Sequence, residues 1–546
     1  MATRRDFITR VARAGGFGAA FSTMRAMGLL EVEAGIDAVQ LPPGSGAGTH
    51  VVVLGGGIAG LVAAWELRKA GYRATVLEAR DRPGGRNWTV RGGTKIEFAD
   101  GTTQRCEFSD GQYFNAGPGR LPSVHTHILG YCRELGVPLE VEVNMSRSAR
   151  LQSPGAFDGQ PVEQRRVVND SRGHVSELLA KAINRHALDQ ELVKEDRDRL
   201  LAFLRKYGDL TPEFRYRGSN RSGEREVGEF RVESPKANDP LSMSALMDAD
   251  FWDWMLFDES FDMQATMMQP VGGMDRIATA FAAGLGQAIR YRAPVKEIQR
   301  IENGIRVLYG DAVTGTTKAI TADYCICTLP LSLLKDIPSC LQEKTRAALK
   351  DVEYAEAYKI AWESRRFWEQ DDNIYGGLSF LRGPVNLLWY PSGNLMAKNG
   401  ILVAGYQNER GTALEKLKTM QEKFDASRAG VEAVHPGRSK ELTRPVYVNW
   451  GQLPWSRGSW VSRSSKPEVP PYYSGLYRQL LDPDGRIFFA GDHMTRLVAW
   501  QEGAALSAHR AIAQLVEHRR GAANVSRPLP PLDQQDSTSF SSYLMA

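Results

Sequence analysis

The stretch that most restricts this chain runs from His50 to Arg80, HVVVLGGGIAGLVAAWELRKAGYRATVLEAR. A β-branched run ending at Leu54 reads as a buried strand. Gly55, Gly57 and Gly60 follow in G-x-G-x-x-G spacing, then Leu61, Ala64, Trp65 and Leu67 at helical intervals, then a second strand, ATVL, ending at Glu78. Strand, glycine turn, helix and terminal acid in this order predict a βαβ unit that binds a dinucleotide. The first glycine lets the turn close, the second lets backbone approach a pyrophosphate, and the third lets the helix pack on the strand. The helix N-terminus adds free N–H groups and a partial positive charge. Glu78 can accept hydrogen bonds from ribose hydroxyls and disfavours a 2′-phosphate, so FAD or NAD is expected before NADP.

A chain of 546 residues, 42% of them hydrophobic, is expected to divide into more than one domain. Its 68 basic and 64 acidic residues leave a net charge of +4, too balanced for a dedicated nucleic-acid or anionic-membrane surface. Beyond the N-terminal arm no run of roughly 18 apolar residues predicts a membrane span. Five dispersed cysteines, Cys106, Cys132, Cys325, Cys327 and Cys340, argue against a disulfide framework. Cys325 and Cys327 lie in ADYCICTLP, read as a buried strand with both thiols on one face, and no metal is assigned. The N-terminus, with Arg4, Arg5 and Phe7 before a glycine-rich run, resembles a twin-arginine export signal, although Arg10, Arg13 and Arg25 interrupt it as they would a plain basic arm. A working leader predicts a periplasmic or secreted protein, and otherwise a cytoplasmic one.

Three further motifs narrow the cofactor. EARDRPGGR places Gly84, Gly85 and Arg86 just after the acidic strand end. GRIFFAGDHM gives a late strand ending at Gly491 and Asp492, and AWQEGAALSAHRAIAQL opens an alanine-rich helix. In this order the motifs resemble the flavin amine oxidase family, which includes monoamine, polyamine and L-amino acid oxidases, over roughly Thr49 to Glu517. The resemblance implies an α/β fold: a Rossmann-like FAD-binding domain (49–95, 270–350 and 468–520), a mixed α+β substrate-binding domain (96–160 and 351–467) and a helical lobe (161–269). A leader with its linker (1–48) precedes them and a tail (521–546) follows; the family is commonly dimeric or larger.

It also implies FAD contacts. Gly55, Gly57, Ile58, Ala59 and Gly60 would meet the pyrophosphate, and Glu78, Ala79 and Arg80 the ribose side. Gly85, Arg86, Gly119 and Arg120 would follow the second glycine turn, with Val295 at the adenine. Gly491 and Asp492 would sit near the ribitol, and Trp450, Ala499, Trp500, Gln501 and Ala504 near the ring. Lys359, in the alternating EYAEAYKIAWE, resembles the family lysine that holds a water near flavin N5; a surface lysine is its ordinary alternative. Trp500 resembles one wall of an aromatic cage, the other coming from LLWYPSG or VNWGQLPWSRGSW. Where members with covalently bound flavin have cysteine, this chain has Ser459 in SRGSW, so FAD is expected to be noncovalent. The aromatic run DFWDWMLFDES reads as core packing rather than as the lining of an entry path.

The loop NAGPGRLPS crowds glycine and proline around Arg120, which by local composition reads as a solvated loop charge. Within the family it resembles the L-amino acid oxidase loop whose arginine binds the substrate carboxylate through two parallel N–H bonds. Tyr390 in LLWYPSG resembles the tyrosine that shares this carboxylate, and the Ala499 carbonyl would take the amine. The implied activity is FAD-dependent oxidation of an L-amino acid by dioxygen. An amide-forming amino acid 2-monooxygenase, a monoamine oxidase and a non-catalytic flavin-binding protein are the alternatives.

Overall fold

His50–Leu54 and Arg73–Leu77 pair in parallel, Val51 opposite Ala74 and Val53 opposite Val76, and the helix Ile58–Lys69 connects them. Gly55 takes φ +101°, open to glycine and strained for other residues. A Cβ on Gly60 would lie 2.0 Å from the Gly55 carbonyl oxygen, so the third glycine is required by helix-on-strand contact. Gly60→Ala is therefore expected to cost about 1–3 kcal/mol or more through overpacking. A fall in the thermal unfolding midpoint, with weaker retention of the bound dinucleotide, would register it.

The computed structural model describes residues 39–225, 236–311, 314–350, 352–407, 412–461 and 479–521. The twin-arginine-like leader and the tail beyond Gly521 lie outside them. The βαβ unit belongs to a five-stranded parallel sheet ordered Ile289–Arg290, Arg73–Leu77, His50–Leu54, Tyr324–Cys327, Ile487–Phe489. Alternation assigns its two faces. Val51, Val53 and Ile326 pack against Leu61, Val62, Ala508 and Ile512 of the helices Ile58–Lys69 and Gln501–Arg519. Val52, Leu54, Cys325 and Cys327 face the other way, toward Ile305 and Val307 of a three-stranded antiparallel meander, so both thiols share one apolar face.

A second sheet has seven strands, ordered Val162–Glu163, Arg150–Gln152, Gly377–Leu381, Leu387–Tyr390, Asn399–Gln407, Tyr358–Arg365, Thr443–Asn449. Its central pairings are antiparallel, with Lys359 opposite Tyr406 and Trp389 opposite Val403. The helices Gln164–Asn184, Lys194–Tyr207, Met243–Ala249 and Trp252–Met255 make up the helical part. A small sheet of Leu121–Pro122, Met267–Pro270 and Leu139–Glu142 anchors the chain directly after Arg120. Among the described residues no helix is long and apolar enough to cross a membrane.

Candidate active site

Both large sheets contribute walls to one cavity of about 660 Å³, which extends from Gly55, Gly57 and Glu78 to Arg120, Lys359 and Trp389. Each residue assigned above to the cofactor lines it except Gly60, which is buried beneath the Gly55 carbonyl. The two glycine turns are joined by Gly84 N–H donating to the Gly56 carbonyl at 2.7 Å, and a Cβ on Gly57 would meet no atom within 4 Å. Backbone is thus presented bare to the cavity. Glu78 accepts from Gly56 N–H through Oε2 (2.7 Å) and from Arg80 N–H through Oε1 (2.8 Å), which orients its carboxylate at the strand end.

At the opposite wall the helix Gln501–Arg519 begins after Trp500 with no side chain capping it, so its first N–H groups remain available. Asn87 Nδ2 donates to Gln501 Oε1 at 2.6 Å, while Asn87 Oδ1 and Gln501 Nε2 are buried and without a partner. A buried acceptor and a buried donor left unpaired beside a cavity suit a ligand with polar ring edges, and the isoalloxazine of FAD has both kinds. Arg86 pairs with Asp492, whose Oδ2 also accepts from Ala499 N–H at 2.9 Å. Burial alone would raise the Asp492 pKa, but Arg86 holds it below the ordinary carboxylate range. Ala499 has φ +69°, in the left-handed region, held there by this hydrogen bond.

Lys359 is buried, with Nζ donating to the carbonyls of Gly117 (2.6 Å) and Asn115 (3.1 Å). Trp389 and Tyr406 rings lie 5.1 and 5.0 Å from the same nitrogen. Burial, with the positive charge of Arg120, pushes its pKa down to about 7. The ammonium is therefore poised to exchange its proton near neutrality.

Arg120 is only 8% exposed, which rules out the solvated-loop reading. The Trp389 ring lies 4.1 Å and the Phe257 ring 5.7 Å from its guanidinium carbon. Nη1 donates to Asn144 Oδ1 at 2.5 Å and to Met263 Sδ at 3.4 Å, both neutral acceptors. Burial lowers the Arg120 pKa and the charge of Glu142 opposes this. A guanidinium buried on a cavity wall with neutral partners can pair with an incoming anion.

Tyr390 requires a correction. It is fully buried away from the cavity, its hydroxyl donating to Ser379 Oγ (2.7 Å) and lying 2.7 Å from His435 Nε2. Successive strand residues point to opposite faces, so Leu387 and Trp389 meet the cavity and Leu388 and Tyr390 the core behind it. Tyr390→Phe should accordingly change kcat/KM by less than about threefold while costing about 1–2 kcal/mol of stability from the lost buried hydrogen bonds. Steady-state kinetics and thermal unfolding of one preparation separate the two. The aromatic run is divided likewise: Phe251 is core, but Trp254 and Phe257 line the cavity.

Sequence reading missed Asn87, Tyr406 and Asn144, and reached Trp389 only as part of the LLWYPSG stretch. The two-residue period of LLWY separates Trp389 from Tyr390, but apolar neighbours on both faces leave the cavity side undecided. Asn144 is brought to Arg120 from 24 positions away without any motif.

A profile described as flavin containing amine oxidoreductase matches residues 58–516. The L-amino-acid oxidase of Siganus canaliculatus is 26% identical over 488 residues, covering 85% of this chain and 85% of that protein. That of Vipera ammodytes ammodytes is 26% identical over 469 residues, 83% of this chain and 89% of its own. The cyclohexylamine oxidase of Brevibacterium oxydans IH-35A superposes with a TM-score of 0.58 at 16% identity, covering 86% of this chain and 99% of that one, a likeness of fold. The profile begins at the first residue of the dinucleotide helix and ends near the close of the helix Gln501–Arg519, enclosing nearly the whole cavity wall, and the chain thereby belongs to the flavin-containing amine oxidoreductase family, with FAD as its cofactor.

Proposed function

We propose that this protein is an L-amino acid oxidase. It would convert an L-amino acid, dioxygen and water into the 2-oxo acid, ammonia and hydrogen peroxide. The observation that carries this reading is Arg120, a buried guanidinium on the cavity wall whose hydrogen-bond acceptors are neutral. An amine lacking a carboxylate would bring no anion to a guanidinium whose direct hydrogen-bond acceptors are all neutral.

FAD supplies the two-electron acceptor. Arg120 would bind the carboxylate with two N–H bonds, and Trp389 stacked on it would exclude water from that pair. The substrate ammonium has to lose its proton before its α-carbon can be oxidised, and the Arg120 charge with the apolar wall favours that loss. Lys359, fixed by two carbonyls and titrating near 7, would order a water and hold or release a proton at Nζ. The Ser459 hydroxyl donates to the Ala355 carbonyl at 2.7 Å, and with serine in that motif the FAD is proposed to be noncovalent.

The test is product analysis over the twenty L-amino acids. Peroxide, ammonia and 2-oxo acid should appear in equal amounts from L- and not D-enantiomers. An amide with one carbon fewer would establish a monooxygenase instead, and turnover of decarboxylated amines alone a monoamine oxidase.

A further inference from the structure

Behind the guanidinium lies a second charge that the proposed reaction does not use. Glu142 ends the strand Leu139–Glu142, is 3% exposed, and accepts from the Trp389 indole Nε1 at 3.1 Å through Oε1. Its Oε2 is buried and accepts no hydrogen bond. Two residues further along, Asn144 accepts from Arg120, so one short segment supplies both the neutral acceptor and the nearby acid. Trp389 lies between them, stacked 4.1 Å from the guanidinium carbon and bonded to the carboxylate at its edge.

The charges around Glu142 are few. Arg120 faces it from the Gly-Pro loop and the indole N–H from the strand Leu387–Tyr390; across the pairing with Met267–Pro270 its opposite number is Met267, which is apolar. Lys359, 5.1 Å from the Trp389 ring, and Tyr406 are the other titratable groups nearby, and the charge of Arg120 acts on both. Burial pushes the Glu142 pKa up, and Arg120 and the indole N–H push it back. The anion is therefore held by one indole hydrogen bond and the charge of one guanidinium, with its other oxygen unsolvated.

A ligand carboxylate on Arg120 would place two buried anions beside one cation. Like charges sharing a site do not both stay ionised in a desolvated setting, and the group with the poorer hydrogen bonding takes the proton. We propose that a carboxylate ligand and one solvent proton enter this site together, the ligand on Arg120 and the proton on Glu142. Glu142 is thus a positioning residue, acting through Arg120 and Trp389, and gives the clamp a pH-dependent affinity. This rests on the reading of Arg120 as the carboxylate clamp.

The probe is 3-phenylpropanoate, phenylalanine without its amino group, so that no ligand amine titrates. It is titrated into the FAD-loaded protein by calorimetry in two buffers of different ionisation enthalpy at the same mildly alkaline pH, with the flavin absorbance shift as a second readout. Uptake of up to one proton per ligand is expected, with Kd weakening by up to about tenfold per pH unit between the Glu142 pKa of the free protein and that of the complex. Because Lys359 also titrates near neutrality in this cavity, the uptake is read in Lys359→Met as well: adding Glu142→Gln, which keeps an acceptor for the indole N–H, should abolish it there, flatten the pH profile and give tighter binding at alkaline pH. Lys359→Met should retain the uptake. Binding by wild type without proton uptake, or uptake that persists when Glu142→Gln is combined with Lys359→Met, would overturn the proposal while leaving the clamp intact. Binding no tighter in wild type than in Arg120→Met would instead remove the clamp itself.

Discussion

Arg120→Met is expected to lower kcat/KM for an L-amino acid by about 2–5 kcal/mol, on the order of thirty-fold to several thousand-fold, because a desolvated carboxylate loses its partner. The buried position of Arg120 between Trp389 and Phe257 supports the upper part of that range, since water cannot readily replace the guanidinium there. Arg120→Lys should recover only part of the loss: an ammonium keeps the charge but lacks the planar fork. The preference for phenylalanine over phenethylamine should narrow in Arg120→Met when the two are compared at one pH. The substitution has a second consequence. Arg120 is one of the two causes that depress Lys359, so its removal should move the Lys359 titration upward from about 7. Unchanged phenylalanine kinetics and an unchanged ratio would return Arg120 to a purely structural role.

Lys359→Met should slow the oxygen-dependent half of turnover by tenfold or more, on the order expected for loss of a positioned proton-transfer group. Substrate affinity, measured by anaerobic titration, should change far less, because the proposed carboxylate contact is made by Arg120 and not by Lys359. Lys359 Nζ also ties down the carbonyls of Asn115 and Gly117, which precede Arg120 in the same loop. The comparison of the two half-reactions therefore matters: a collapsed loop would weaken amino acid binding first, whereas loss of the proposed Nζ-bound water would spare it. Stopped-flow recovery of the yellow absorbance at wild-type rate would exclude the lysine from the chemistry.

The parts of the site legible in the sequence are those built from neighbours in the chain. Gly55, Gly57 and Gly60 announce a turn, a bare approach and a close packing because each requirement is met within a few residues. Cys325 and Cys327 share a face because strand alternation is local. The family resemblance carried Lys359 and Arg120 to the same cavity although 239 positions separate them, since both lie in motifs with recognisable surroundings. It failed at Tyr390, where adjacent aromatic residues occupy opposite faces and only the packing of Ser379 and His435 behind the sheet shows which face is which.

What the sequence by itself determined is the dinucleotide cradle, the order of the elements and the identity of the two cations. Their electrostatic character was decided by tertiary structure alone. Arg120 is a plausible surface charge until Met263, Phe257 and Trp389, drawn from segments up to 269 positions away, exclude water from it. Lys359 is brought to about 7 only because the seven-stranded sheet and the Asn115 and Gly117 carbonyls bury it beside that charge. Glu142 belongs to no motif and acquires its significance from one indole and one guanidinium. A residue's identity is written in the chain, whereas its desolvation and its charged neighbours are properties of the assembled interior, and these set proton affinity and the strength of a buried ion pair.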